Sequence, residues 1–183
     1  MNKKTLYITA LLYFSVLSSS NSYDMDRELQ KYHLFEHQDP QLITDEKFFD
    51  INDKAHLLEE YENKVIIINF WATWCTFCTS KIKSLDQFQK LLKNEPVKII
   101  ALSEDFKGKS VVEEFYTKKN IKNLEVFVDK KNALFKAFEI IALPTTVIID
   151  SKGYEVARIV GVVDWNNDDT IKELISKYTS LRN

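Results

Sequence analysis

The sequence predicts an α/β fold, a mixed β-sheet flanked by helices on both faces. Buried-type apolar strands alternate with helical patterns through the first half, which demands right-handed crossovers and parallel pairing. Two late strands with Ser151-Lys152-Gly153 as the turn between them form an antiparallel hairpin. Glycine and proline number 3 each in 183 residues, too few for an all-β chain of many tight turns or for a collagenous or low-complexity chain. With 45% hydrophobic residues, the length suits one domain with a sizeable core.

Lys3 and Lys4 precede an apolar run from Leu6 to Leu17 and a small polar stretch from Ser18 to Ser22. That is the order of a secretory signal peptide, so residues 1–22 are expected to be cleaved and the protein to be periplasmic or otherwise exported. The run falls short of the roughly 20 apolar residues that span a bilayer, which disfavours an uncleaved anchor. Residues 23–46 read as a polar leader: Met25, Leu29, Tyr32 and Glu36 fall at helical spacing and Pro40 closes the stretch, as in a short amphipathic helix or a tether.

The domain is expected over residues 47–183. Lys47 to Ile51 reads as a short strand and Ala55 to Tyr61 as a helical turn. Val65 to Phe70 is a β-branched apolar run of the length of a buried strand. Ile82, Leu85, Phe88, Leu91 and Leu92, interleaved with lysines, make an amphipathic helix that ends before Pro96. Then come a strand at Val97 to Leu102, a helix at Val111 to Lys118, a strand at Leu124 to Val128 and a short helix at Asn132 to Phe138. The hairpin strands are Thr145 to Ile149 and Glu155 to Val160, and Ile171, Leu174, Ile175 and Tyr178 mark a closing helix.

The net charge of -2, from 25 basic and 27 acidic residues, gives no broad positive field and argues against a nucleic-acid partner. The 2 cysteines, Cys75 and Cys78, close only a very small ring. Such a ring stabilises by about 2 kcal/mol at most, so the pair makes poor scaffolding and points to chemistry. An exporting compartment lets disulfides form and persist. Cys75 stands where a strand gives way to a helix, and Cys78 follows on the same helical face. Free amide donors at that helix start favour a thiolate on Cys75, the attacking sulfur, while Cys78, one turn inside, resolves the mixed disulfide.

Asn69-Phe70-Trp71-Ala72-Thr73-Trp74-Cys75 with Cys78, then Leu143-Pro144-Thr145-Thr146 and Gly161 after the hairpin, resemble the thioredoxin superfamily, and within it the exported TlpA/ResA-like (DsbE-like) thiol-disulfide oxidoreductases. The resemblance runs from about Phe48 to the C-terminus. It implies a thioredoxin-like fold with an extra helix and strand, roughly Glu104 to Asp129, inserted before a cis-Pro144 loop. It also implies that Leu143 offers its backbone to an extended substrate, with Trp74, Leu143 and Pro144 shaping the docking surface. Without the resemblance, Pro144 simply starts a strand.

Three positions depart from the family. Phe77 replaces a common proline before the second cysteine, which leaves the direction of electron flow open. Lys81 stands where many relatives have glutamate, and its ammonium is expected to lower the Cys75 pKa; a solvated lysine is the plainer alternative. Asn69 occupies the place of a buried, proton-moving aspartate, leaving water or Glu104 as alternatives.

The expected function is exchange of disulfides with exported proteins, more as a reductase of apoprotein cysteines, as in cytochrome c or copper-site maturation, than as a disulfide-forming oxidase. The expected partners are exported protein thiols and disulfides and an upstream membrane electron donor, with the chain a monomer and no cofactor beyond the Cys75–Cys78 disulfide. A metal-binding or metallochaperone module, pairing the thiolates with His33, His37 or His56, is the other class, although His33 and His37 read more simply as solvated polarity on a leader helix. No metal ligand is assigned.

Overall fold

The computed structural model describes residues 32–166 and 169–180, so the proposed signal peptide and residues 23–31 of the leader lie outside the described residues. Residues 1–33 form one unit, of which only 32 and 33 are described, and Leu34–Asn183 form the other. In chain order the elements are β1 (Tyr32–Leu42), β2 (Phe48–Asp50), β3 (Ala55–His56), a 3-10 helix (Leu58–Tyr61), β4 (Val65–Trp71), α1 (Thr76–Thr79), α2 (Ile82–Leu91) and β5 (Val97–Ser103). There follow α3 (Lys109–Lys119), β6 (Phe127–Val128), a 3-10 turn (Lys130–Asn132), α4 (Ala133–Ala137), β7 (Thr145–Ile149), β8 (Tyr154–Gly161) and α5 (Asp169–Ser180).

The strands form one mixed sheet in the order β1-β8-β7-β4-β5-β6-β2-β3. β4 runs parallel to β5 and antiparallel to β7, and β7 and β8 are the predicted hairpin. All seven residues of β4 are buried, which is why its sequence is apolar throughout except for Asn69, rather than alternating. Neighbouring side chains on β4 point to opposite faces. Trp71 packs on Phe115 and Tyr116 of α3, while Phe70 packs on Phe135 and Phe138 around α4, so helices cover both faces as predicted. α3 and β6 lie between β5 and the Pro144 loop, where the extra helix and strand were expected.

Four local readings change. Residues 32–42, expected to be a helix or tether, form edge strand β1, so the sheet begins ahead of the boundary drawn at 46. His37 Nε2 lies 2.9 Å from Glu155 Oε1, and Tyr178 donates to Glu36 at 2.9 Å. These partners lie far along the chain, where helical spacing carries no information. Pro40 is harmless on an edge strand, because its missing N–H can face outward. Ala55 and His56 pair with β2, which confines the helical turn to Leu58–Tyr61. β6 is shorter than the predicted strand because Asp86 takes the backbone N–H groups of Lys122, Asn123 and Leu124, holding them as a loop. The helix after Cys75 divides into α1 and α2, with Lys81 the N-cap residue of α2 at φ -117° and ψ -5°.

Candidate active site

β4 delivers the cysteines. After Trp71 the chain turns, Cys75 N–H donates to Ala72 C=O at 3.2 Å, and Cys75 becomes the N-cap residue of α1. Its Sγ accepts from the Cys78 backbone N–H at 3.2 Å. The two cysteines form a disulfide with their Cα atoms 5.3 Å apart, and both are buried. The hydrogen bond is the local form of the amide stabilisation expected of a helix start, and it favours negative charge on Cys75 over Cys78 once the bridge is reduced.

The Leu143–Pro144 peptide is cis, and Pro144 lines a small cleft together with Cys78, Asn69, Phe77 and Lys81. Gly161 N–H donates to Pro144 C=O at 2.9 Å and tethers this loop to the end of β8. Gly161 sits at φ +118°, a conformation that favours glycine. No hydrogen bond engages the Leu143 backbone among the described residues. Trp74 is exposed, as are Phe77 and, two residues before Leu143, Ile141. The buried disulfide is thus flanked in sequence and across the proline loop by apolar side chains that face water.

Sequence reasoning missed the clasp that holds this loop. Asp105 accepts from Thr73 N–H at 2.9 Å and from Thr73 Oγ1 at 2.6 Å, and its Oδ2 also accepts from Ser103 Oγ at 2.8 Å. The residue before Trp74 is therefore fixed to the end of β5. Ser103 and Asp105, two apart after a buried strand, were the only signal of it.

Lys81 lines the same cleft as Cys78, its Nζ 3.7 Å from Asp164 Oδ2. Asn69 donates Nδ2–H to Thr146 Oγ1 at 3.0 Å. Glu104 does not line the Cys78 cleft. It follows β5, its backbone N–H donates to Trp71 C=O at 2.8 Å, and its side chain is buried. Burial, with Asp129 and Asp105 nearby, pushes its carboxyl up to about 9.

The histidine alternative loses its geometric basis. His33 and His37 lie on a strand, where residues four apart stand about 13 Å from each other. His37 is engaged by Glu155, and His56 by Asp50 and Glu60. Among the described residues no group of three or more His, Cys, Asp or Glu side chains is arranged to hold a metal ion.

A cysteine pair at a strand-to-helix junction, beside a cis-proline loop in a mixed sheet, defines a thioredoxin-fold thiol-disulfide oxidoreductase. The Redoxin family model matches residues 43–175, and the chain belongs to that family, in its TlpA/ResA-like part. It is 28% identical over 130 residues to the thiol-disulfide oxidoreductase ResA of Bacillus thuringiensis subsp. konkukian, covering 71% of this chain and 72% of the relative. It is 28% identical over 114 residues to ResA of Bacillus subtilis, covering 62% and 63%. Among solved structures, an exposed lipoprotein thioredoxin of Streptococcus pneumoniae superposes with a TM-score of 0.63 at 23% identity, covering 73% of this chain and 99% of that one. A thioredoxin-family thiol:disulfide interchange protein of Chlorobium tepidum gives 0.62 at 20% identity, covering 78% and 99%.

Proposed function

We propose that this enzyme is an exported reductase of protein disulfides, acting on cysteines of exported apoproteins such as those that receive haem or copper. The observation that carries the reading is the Cys78 N–H at the Cys75 sulfur, beside a cis-proline loop whose Leu143 backbone is unengaged. The order of charges and apolar residues in 1–22 supports export. Among the described residues no helix is long and apolar enough to cross a membrane.

In the reduced enzyme the Cys75 thiolate attacks one sulfur of a substrate disulfide held against Leu143, Pro144 and Trp74. The other substrate sulfur leaves as a thiolate and takes a proton from water. Cys78, deprotonated by water because Asn69 cannot accept its proton, then attacks Cys75 Sγ. The second substrate sulfur leaves as a thiolate and takes a proton from water, and the Cys75–Cys78 disulfide forms. The substrate has gained two electrons and two protons; an electron donor in the membrane returns two electrons to the enzyme.

Cys78→Ala stops the sequence after its first step. In the native host it is expected to accumulate mixed disulfides through Cys75 that identify the substrates, whereas Cys75→Ser forms none. A reduction potential near the thioredoxin value of about -270 mV supports a reductase, and one near about -120 mV overturns the direction.

A further inference from the structure

Beyond the Thr73–Asp105 clasp opens a second, larger cleft of about 720 Å³. Five lysines line it, Lys107, Lys109, Lys130, Lys131 and Lys136, against three acids, Asp53, Asp105 and Asp129. The three acids offset only part of the charge of the five lysines. Asp53 is shared between Lys109 and Lys130. Asp105 is occupied by Thr73 and Ser103, and Asp129 is buried under the Ala133 and Phe135 N–H groups. Lys136 donates to a backbone carbonyl, that of Lys131, and takes no carboxylate. Lys107 and Lys131 are exposed and have no ion pair among the described residues. At the cleft's edge the Phe106 ring is 88% exposed. A chain of net charge -2 has thus gathered a positive surface around one exposed aromatic ring.

Position gives this surface its meaning. Asp105 lines the cleft and holds Thr73, two residues before Cys75, so whatever occupies the cleft lies alongside the loop that presents the reactive sulfur.

We propose that the lysine cleft is a docking site for an acidic segment, bearing an apolar side chain for Phe106, on the protein whose disulfide Cys75 and Cys78 exchange. Complementary charge raises the rate of encounter and orients the partner more than it deepens final affinity, which suits an enzyme that must release its product. The cleft is wide, its free ammonium groups sit on flexible exposed stems, and the chain as a whole is acidic; these features fit a peptide carrying a few carboxylates better than a phosphate cradle. The proposal rests on the redox reading above, since it names the class of substrate.

The test uses two synthetic peptides that share one intramolecular disulfide, one flanked by four acidic residues and one by serines. Reduced enzyme should react with the acidic peptide about tenfold faster at low ionic strength, with the preference gone at about 0.5 M salt. The double variant Lys107→Ser with Lys131→Asn should lose that preference while reacting with the serine peptide at the parental rate; asparagine is chosen because position 131 has φ +62°. Equal, measurable rates for both peptides in the parent, or a preference that survives in the variant, overturn the proposal. Displacement of the acidic peptide by inorganic phosphate, beyond that by chloride at equal ionic strength, also overturns it by showing a small-anion site. Binding of each peptide to the oxidised enzyme is measured separately. Salt-sensitive binding of the acidic peptide alone supports the cleft even where neither peptide is reduced, and that combination sinks the redox reading instead.

Discussion

Glu104 is the side chain whose cost is easiest to measure. It is 3% exposed, and neither carboxyl oxygen has a hydrogen-bond partner. A buried acid without donors stays neutral rather than pay for a desolvated charge. Asp129 and Asp105, the charged groups that act on it, push in the same direction, raising its pKa from 4.5 to about 9. Between those limits the folded chain keeps a proton that the unfolded chain has lost, so stability falls as pH rises through the window. Glutamine has the same shape and does not titrate. Relative to the parent, Glu104→Gln is expected to gain roughly 3 kcal/mol between pH 5 and pH 7.5, read from urea unfolding at both values. A difference between parent and variant that is the same at both pH values would show that Glu104 is already solvated. Nothing in the sequence announces this residue as buried: it follows Ile100 and Leu102 in strict alternation, but an acid at a strand end reads as surface. The cysteines were legible for the opposite reason, because their spacing and their place at the β4 end need no long-range information. Trp74 and Pro144 were placed through the resemblance, while Asp105 depended on a contact 32 residues away and was not.

At the scale of elements, period and length made β4, β5, the hairpin and the helices readable, since each buries an apolar pattern that belongs to it alone. Two of the failures share one cause. β1 exists because β8 offers an edge, β6 is short because Asp86 claims the amides before it, and α1 separates from α2 at Lys81, the N-cap residue of α2. For β1 and β6 a partner outside the local window decides the backbone. The break between α1 and α2 matters for chemistry, because Lys81, at the break, lines the cleft with Cys78 and lies 3.7 Å from Asp164. We propose that Lys81 still biases the cysteines toward thiolate, with a field that Asp164 and solvent reduce. In the reduced enzyme Lys81→Glu is expected to raise the Cys75 titration midpoint by less than about one pH unit and to slow attack near neutral pH in proportion. Absorbance at the thiolate band gives the midpoint directly. An unchanged midpoint makes Lys81 a solvated lysine paired with Asp164 and nothing more.

The whole molecule decides which way electrons run, and its stability reports that direction. Folding and disulfide reduction form a closed thermodynamic cycle, so the difference in unfolding free energy between oxidised and reduced enzyme equals the difference in disulfide strength between folded and unfolded chain. The ring closed by Cys75 and Cys78 spans a sequence separation of 3, so its constraint on the unfolded chain is worth about 2 kcal/mol at most. Against it stands the stabilisation of a folded Cys75 thiolate by the Cys78 N–H and the start of α1, which favours the reduced state. In a strong oxidant the second effect wins and the reduced protein is the more stable; in a reductant it does not. With Phe77 in place of a proline, the family pattern does not decide between them, but α1 has only 4 residues and one amide donates to the Cys75 sulfur. So few donors leave the thiolate modestly stabilised. The oxidised enzyme is therefore expected to be the more stable form, by no more than about 2 kcal/mol, in paired denaturant titrations with and without a strong dithiol reductant. A reduced enzyme more stable than the oxidised one would mean that the folded site pulls electrons in, and the protein would then make disulfides in its partners rather than remove them.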